Sequence, residues 1–270
     1  MIDRYAVIGH PISHSKSPLI HQSFAAQTHQ DISYEAIEAP LDGFRATIER
    51  LVSEGYKGCN VTVPFKFEAF RMCKQLTGRA QAAQAVNTLF FRDDEILGDN
   101  TDGAGLLTDI EQNLACKLLF KKVLLMGAGG AAHGVIWQLF NAGATITVAN
   151  RNLGKAQQLV AEFAPYGTVV SSTYEALAGK SFDVVVNATS SSLTDELPPL
   201  PDGLFAVESL AYDMMYGKQT AFLKFAAAQG AGQLADGLGM LVEQAAEAFC
   251  KWREVRPETA PLLVQLRELE

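Results

Sequence analysis

The feature that most narrows this chain is the order KVLLM, GAGGAAHG, TITVAN within residues 122–150: an apolar run stops on glycines, passes through a helical stretch and resumes as a second apolar run. Glycines directly after a strand and directly before a helix suit a dinucleotide diphosphate. Gly127 permits the tight turn, and Gly129 lets backbone N–H groups come close to phosphate oxygens. Ala132 is small enough for the helix to lie against the strand, and the helix N-terminus adds partial positive charge. The same glycines could serve only as a left-handed turn, but the runs that follow, TVVSS, FDVVVNATS and FAVESLAYD, continue the strand and helix alternation. That alternation predicts a doubly wound parallel sheet carrying a nucleotide.

Which nucleotide depends on the end of the second strand, where a carboxylate would hold the ribose 2′-hydroxyl of NAD. The chain places Asn150 there, then Arg151, with Lys155 one turn further on. A carboxylate would repel a 2′-phosphate, whereas these cations can pair with one. Cations at the start of a helix oppose its dipole, so an anion above them gives their position a reason. The expectation is NADP in preference to NAD.

The first hundred residues also alternate: YAVIG (5–9), a helix from about Pro18, SYEAIEA (33–39), a helix near 43–54, GCNVTV (58–63) and AVNTLFF (85–91). In SPLIHQSF, Ser17 can cap the helix and Pro18 takes the first helical position, where its missing N–H costs nothing. The turn-rich LGDNTDGAG (97–105) leads into a new helix, and the domain boundary is expected there. A chain of 270 residues stands at the size where one core gives way to two, and 48% hydrophobic with 19% charged residues can fill both. Toward the C-terminus Leu238, Leu241, Val242, Ala245 and Phe249 recur at helical spacing, and PETAPLLVQL suggests a last helix.

A net charge of -8 and a pI near 5.2 argue against nucleic acid or an anionic membrane as partner, since both are held by basic surfaces. No apolar run reaches the roughly 18 residues of a membrane span, and the N-terminus carries no basic and apolar leader, which makes the cytoplasm the expected location. Cys59, Cys73, Cys116 and Cys250 lie far apart without a C-x-x-C and read as small core residues. His10, His14 and His21 lack metal-ligand spacing, so no metal is expected. The N-x-T sequons at Asn60 and Asn187 follow apolar strand-like runs and read as coincidental.

Several polar residues of the first half sit where packing does not call for them. Ser15 and Ser17, two apart before a helix, can hold a carboxylate, although turn and cap chemistry would explain them as well. Lys66 follows a strand that stops at Pro64, where a lysine would ordinarily reach for solvent. Asp102 in DNTDG could be a turn residue or a helix cap. Asn87 is an amide inside an apolar run and needs partners.

As a set these stretches resemble the shikimate dehydrogenase family: H-S-K-S-P at 14–18, N-V-T-V-P-F-K at 60–66, A-V-N-T at 85–88 and G-D-N-T-D-G at 98–103, then GAGGAA at 127–132, NR at 150–151, NATSS at 187–191, YDMMY at 212–216 and DGLGMLVEQA at 236–245. The likeness runs through essentially the whole chain. It implies an NADPH-linked reduction of 3-dehydroshikimate to shikimate on the way to aromatic amino acids, by a monomer or homodimer. It implies Lys66 and Asp102 as the catalytic pair and Ser15 and Ser17 on the substrate carboxylate, with Thr62, Asn87, Tyr216 and Gln244 completing the substrate contacts. Gly127, Ala128, Gly129, Gly130 and Ala131 fall in the glycine loop, and Thr189, Met214 and Gly237 lie by the cofactor. The architecture implied is α/β with two domains: an N-terminal α/β substrate-binding and catalytic domain over 1–101, a Rossmann-type doubly wound NADP domain over 102–236, and C-terminal helices over 237–270 that return to the first.

The chain departs from the family pattern at His133, where an arginine is frequent, at Ser192 and Gly78, and in GKQT after Tyr216. Two rival readings remain, a quinate/shikimate dehydrogenase of broader specificity and a non-catalytic NADPH-binding regulator. Asn150 and Arg151 weigh against an NAD-using member of the first kind. Lys66 and Asp102 weigh against the second, because a sensor needs neither.

Overall fold

The computed structural model describes residues 2–92, 95–193, 196–217 and 219–269. It divides into two compact units, one formed by the chain through Gly105 together with Leu241 onward, the other by Leu106–Met240.

The elements through the first division are β1 (Asp3–Gly9), α1 (Ser17–Thr28), β2 (Ile32–Glu38), α2 (Phe44–Ser53), β3 (Gly58–Val61), α3 (Lys66–Met72), β4 (Gln75–Leu76), α4 (Gly78–Ala83), β5 (Thr88–Arg92), β6 (Glu95–Asp99) and α5 (Asp102–Thr108). Their strands form a sheet in the order β2-β1-β3-β5-β6-β4. β1 runs parallel to β2 and β3, β5 is antiparallel to β3 and β6, and β4 is parallel to β6. Alternate residues of β1 face opposite sides, as the pleat requires. Ala6 and Ile8 pack with Phe44, Ile48 and Leu51, which recur at helical spacing on α2, and Tyr5 and Val7 pack with Tyr34 and Trp252. Full burial of each large side chain in such a core contributes about 1.5–3 kcal/mol.

The second unit takes in the end of α5 and a π-helical turn, Asp109–Asn113, and continues with β7 (Lys122–Met126), α6 (Gly130–Asn141), β8 (Thr145–Ala149), α7 (Leu153–Phe163), β9 (Val169–Ser172), β10 (Phe182–Asn187), β11 (Phe205–Asp213), α8 (Ala221–Ala228) and β12 (Gln233–Ala235). All neighbours in its sheet are parallel, in the order β12-β11-β10-β7-β8-β9. Both faces are covered, Val123 and Leu125 by Val135, Ile136 and Leu139, and Leu124 and Met126 by Phe222 and Leu223. This is why these strands read as continuous apolar runs. The strand order reverses between β7 and β10, and the glycine loop leaves the C-terminal end of β7 at that point, where open parallel sheets bind ligands.

Two last helices, α9 (Leu238–Arg253) and α10 (Ala260–Glu268), complete the chain, and from Leu241 onward they belong to the first unit. The divisions after Gly105 and after Met240 fall inside α5 and inside α9. Asp102 therefore lies with the first unit, although the expected division at 101/102 put it at the start of the second.

Local differences from the sequence reading have physical causes. The strand over 58–63 ends at Val61, because Phe65 N–H turns back to the Thr62 carbonyl across Pro64, which has no N–H to offer. Lys66 is consequently the first residue of a helix, not the tip of a strand. The strand over 85–91 begins at Thr88. Lys16, not Ser17, occupies the cap position of α1, and no side chain caps that helix. Ser17 lies buried as the first helical residue, and its N–H donates to Ser15 Oγ at 3.3 Å. The Ser192 side chain and Lys218 fall outside the described residues.

Candidate active site

In the first unit the polar residues converge around Asp102. The Lys66 ammonium donates to Asp102 Oδ2 at 2.6 Å, and Asn87 Nδ2 donates to Asp102 Oδ1 at 2.8 Å. Both carboxylate oxygens are thus engaged, and the Asp102 side chain is only 7% exposed against 18% for Lys66. Lys66 gains this position because the turn at Pro64 starts α3, whose first carbonyl, that of Lys66, accepts the Val86 N–H at 3.0 Å. One backbone bond therefore ties the lysine to the segment that carries Asn87.

Asn87 is held from several sides. Its Oδ1 accepts the Thr101 N–H at 2.8 Å and the Thr88 hydroxyl at 2.9 Å, and its own N–H donates to the Asp99 carbonyl at 3.0 Å. Behind it Asn60 donates to the Asn87 carbonyl and to Thr88 Oγ1 while accepting the Tyr34 hydroxyl at 2.6 Å. Asn60, Thr88, Asn87 and Thr101 are all buried, so each amide and hydroxyl needs these partners. From the sequence alone Asn60 reads only as a coincidental sequon, and Thr88 and Thr101 carry no role. Asn60 and Thr88 carry the signal that marks Asn87, a polar residue in an apolar run, whereas Thr101 sits in a turn-rich stretch and carries none.

Gln244, on α9, approaches the group, its Oε1 at 3.4 Å from Asn87 Nδ2 and 3.5 Å from Thr101 Oγ1, with its Nε2 bonded to the Leu241 carbonyl of its own helix. Thr62 lies half-buried against Gly9, its N–H on the Ile8 carbonyl. Ser15 and Ser17 pair with each other at the start of α1. Of the residues expected at the substrate, Tyr216 alone belongs to the second unit, two residues beyond Met214 on the segment after β11.

In the second unit Gly127 takes φ +106°, a conformation that side chains other than glycine rarely adopt, and its N–H donates to the Ala149 carbonyl at the end of β8. A Cβ built on Gly129 would meet nothing within 4 Å, so the backbone there faces open space. Gly130 then opens the twelve-residue α6, whose first N–H groups have no partner within the helix. An unobstructed backbone with free donors at a helix start fits a diphosphate. Asn150 donates to the Asn152 carbonyl, and Asn152 caps α7 by accepting the Lys155 N–H. The side chains of Arg151 and Lys155 are exposed, and among the described residues neither forms a hydrogen bond or ion pair. That leaves two cations at the end of β8 for a further anion.

Both ring nitrogens of His133 have a neighbour within their own unit. Its Nδ1 lies 3.0 Å from the Gly129 carbonyl and its Nε2 3.4 Å from Glu162 on α7. Thr189 donates its hydroxyl and its N–H to Asn187 Oδ1. Buried Asp213 gathers the Asn187 amide, the Thr220 hydroxyl and the Met215 N–H, which fixes the segments carrying Thr189 and Met214 against each other. A Cβ on Gly237 would stand 2.2 Å from the Met214 carbonyl oxygen, so only glycine lets these two segments meet. Among the described residues no cluster of three or more histidine, cysteine or carboxylate groups could hold a metal ion.

A doubly wound unit with an open glycine loop and two exposed cations, joined in one chain to a unit with a half-buried lysine on a buried carboxylate, defines a nucleotide-dependent oxidoreductase. The family profile described as shikimate dehydrogenase substrate binding domain matches residues 7–89, and that described as shikimate / quinate 5-dehydrogenase matches residues 109–194. The chain is 57% identical over 268 residues to the shikimate dehydrogenase (NADP(+)) of Methylobacillus flagellatus, covering 98% of this chain and 99% of the relative. It is 60% identical over 269 residues to that of Nitrosospira multiformis, covering 99% and 98%. The crystal structure of shikimate 5-dehydrogenase from Thermus thermophilus in complex with NADP(H) and shikimate matches with a TM-score of 0.88 at 31% identity over 99% of both chains. The chain belongs to the shikimate dehydrogenase family.

Proposed function

We propose that this chain catalyses the reversible, NADPH-linked reduction of 3-dehydroshikimate to shikimate, a cytoplasmic step toward the aromatic amino acids, with Lys66 as proton donor. The observation that carries the assignment of roles is the 2.6 Å pair between Lys66 Nζ and Asp102 Oδ2, with Asn87 on the other carboxylate oxygen. NADPH, when bound, supplies the hydride to the carbonyl carbon. Negative charge then develops on the carbonyl oxygen, and the Lys66 ammonium both stabilises it and delivers the proton that completes the alcohol. In the reverse direction the same proton returns to Lys66.

Asp102 acts by orientation. With Asn87 on one oxygen and Lys66 on the other, the carboxylate is held in one geometry and holds the ammonium with it. Ser15 and Ser17 take the substrate carboxylate, and Thr62, Asn87, Tyr216 and Gln244 take its remaining oxygens. Gly127 to Ala131 cradle the diphosphate, Asn150, Arg151 and Lys155 hold the 2′-phosphate end, and Thr189, Met214 and Gly237 border the rest of NADPH. The partners are small molecules, not nucleic acid or membrane, and among the described residues no helix is long and apolar enough to cross a bilayer.

Following nicotinamide absorbance with purified protein, shikimate or quinate, and NADP or NAD tests this reading. Turnover fastest with shikimate and NADP is expected. Comparable rates with quinate would make the chain a quinate/shikimate dehydrogenase, and no turnover in any combination would make it a regulator that binds NADPH.

A further inference from the structure

We infer that Arg79 is a positioning residue, which keeps the helix carrying Gln244 in register with the strand end carrying Asp102. The inference rests on the proposed reaction, in which both residues serve the substrate. Arg79, the second residue of α4, grips Asp99 as a fork, with Nε 2.7 Å from Oδ1 and Nη2 2.5 Å from Oδ2. Its remaining nitrogen, Nη1, donates to Glu247 Oε1 at 2.9 Å. One planar group thus joins the end of β6 to α9, with all three donor directions used.

Each end of this bridge leads to a candidate substrate group. Asp99 also accepts the Thr77 hydroxyl and the Asn100 N–H, and the Asn100 side chain accepts the Asp102 N–H at 3.1 Å while donating to the Ala85 carbonyl. Fixing Asp99 therefore fixes the backbone that presents Asp102. Glu247 lies three residues after Gln244, on the same face one turn along α9. Arg256 also holds that helix, bonding Glu243 and the other oxygen of Glu247, and Thr259 bonds Glu243 in turn. Those contacts hold α9 to the segment leading into α10 but do not reach the strand that ends at Asp99.

Gln244 cannot place itself. Its contacts to Asn87 and Thr101, at 3.4 and 3.5 Å, stand at the weak limit of hydrogen bonding, and its better bond is to its own helix. Its distance from Asn87 is thus set by where α9 lies; Arg79 bonds α9 to Asp99 itself near Gln244, while Trp252, two turns further along α9, bonds the Leu89 carbonyl on β5. Desolvation of the buried Asp99 carboxyl favours its neutral form, yet the Arg79 hydrogen bonds and charge outweigh this and hold it below the usual carboxylate range. The same contacts hold the Arg79 guanidinium above its ordinary value, so the fork favours the charged form of both its members.

The test is steady-state kinetics on Arg79→Lys, which keeps the charge without the fork, Arg79→Gln, and Glu247→Gln, which weakens the link from Arg79 to α9 while leaving the Arg79–Asp99 fork intact. Each should raise KM for shikimate about tenfold, the effect of losing one charged hydrogen bond, with KM for NADP unchanged. In a Gln244→Ala background, Glu247→Gln should raise KM for shikimate less than about twofold, since the residue it acts through is gone. Melting curves identify any variant that fails to fold, and Glu247→Gln decides the question where Arg79→Gln does. An unchanged KM for shikimate in Arg79→Lys and Glu247→Gln, or a full effect of Glu247→Gln in the Gln244→Ala background, would overturn the inference while leaving the reaction intact. A wild-type protein with no shikimate turnover would overturn both.

Discussion

Acid should destabilise the first unit through one residue, His21, and replacing it with phenylalanine should remove that sensitivity. His21 is fully buried on α1, stacked on Tyr34 with ring centroids 4.1 Å apart, and surrounded by Phe24, Phe249 and Trp252. No group among the described residues forms a hydrogen bond to either ring nitrogen. Burial pushes the imidazole from 6.5 down to about 3, against a smaller upward pull from the Asn60 side chain. Because the folded value lies below the unfolded one, the unfolded chain takes up a proton first as pH falls. Stability from this residue is intact above pH 6.5, is lost steadily between pH 6.5 and about 3, and then levels off. Each pH unit within that window costs about 1.4 kcal/mol, so moving from pH 7 to pH 5 should cost about 2 kcal/mol, a large fraction of a typical folding free energy. In a Trp137→Phe background Trp252 is the only tryptophan left, and its fluorescence in urea titrations at pH 7, 6 and 5 reports the unfolding of this unit. His21→Phe, which keeps a ring against Tyr34, should flatten the pH dependence by that amount. If the two proteins lose stability in parallel to within about 0.5 kcal/mol, the imidazole is not the group responsible.

Two further outcomes test the site. Lys66→Ala should lower kcat by roughly 10²–10⁴, the scale of a lost general acid, with little change in KM for shikimate, and near-normal turnover would remove Lys66 from the chemistry. Arg151→Ala should weaken NADP roughly tenfold or more while leaving the weak use of NAD alone, read from KM for each cofactor. Equal losses with both cofactors would mean that Arg151 does not read the 2′-phosphate.

Much of this protein is legible in its sequence because the relevant forces are local. A doubly covered parallel sheet demands continuous apolar runs, and a glycine at φ +106° followed by an unobstructed one leaves its mark as GAG, so β7, α6 and β8 could be placed directly. Asn87 stands out as an amide inside an apolar run, whereas Lys66 and Asp102 have ordinary local readings and are marked only by the motifs shared with the family. Short elements such as β4 and α4 do not stand out, since two to six residues carry too little periodicity to declare themselves. The departures at Ser17 and Thr62 arose from single hydrogen bonds, Ser17 N–H to Ser15 and Phe65 N–H to the Thr62 carbonyl, that no propensity encodes.

What the tertiary structure alone decided is which distant residues meet. Arg79 belongs to no motif of the sequence, and only the fold sets it between Asp99, 20 residues on, and Glu247, 168 residues on. His21 read as a failed metal ligand until α1 laid it on Tyr34 and beneath Phe249 and Trp252. A strand or a glycine loop follows from neighbours in the chain. The partners of a buried charge or an imidazole, and hence its protonation and its role, follow only from desolvation and contacts that exist once the chain has folded.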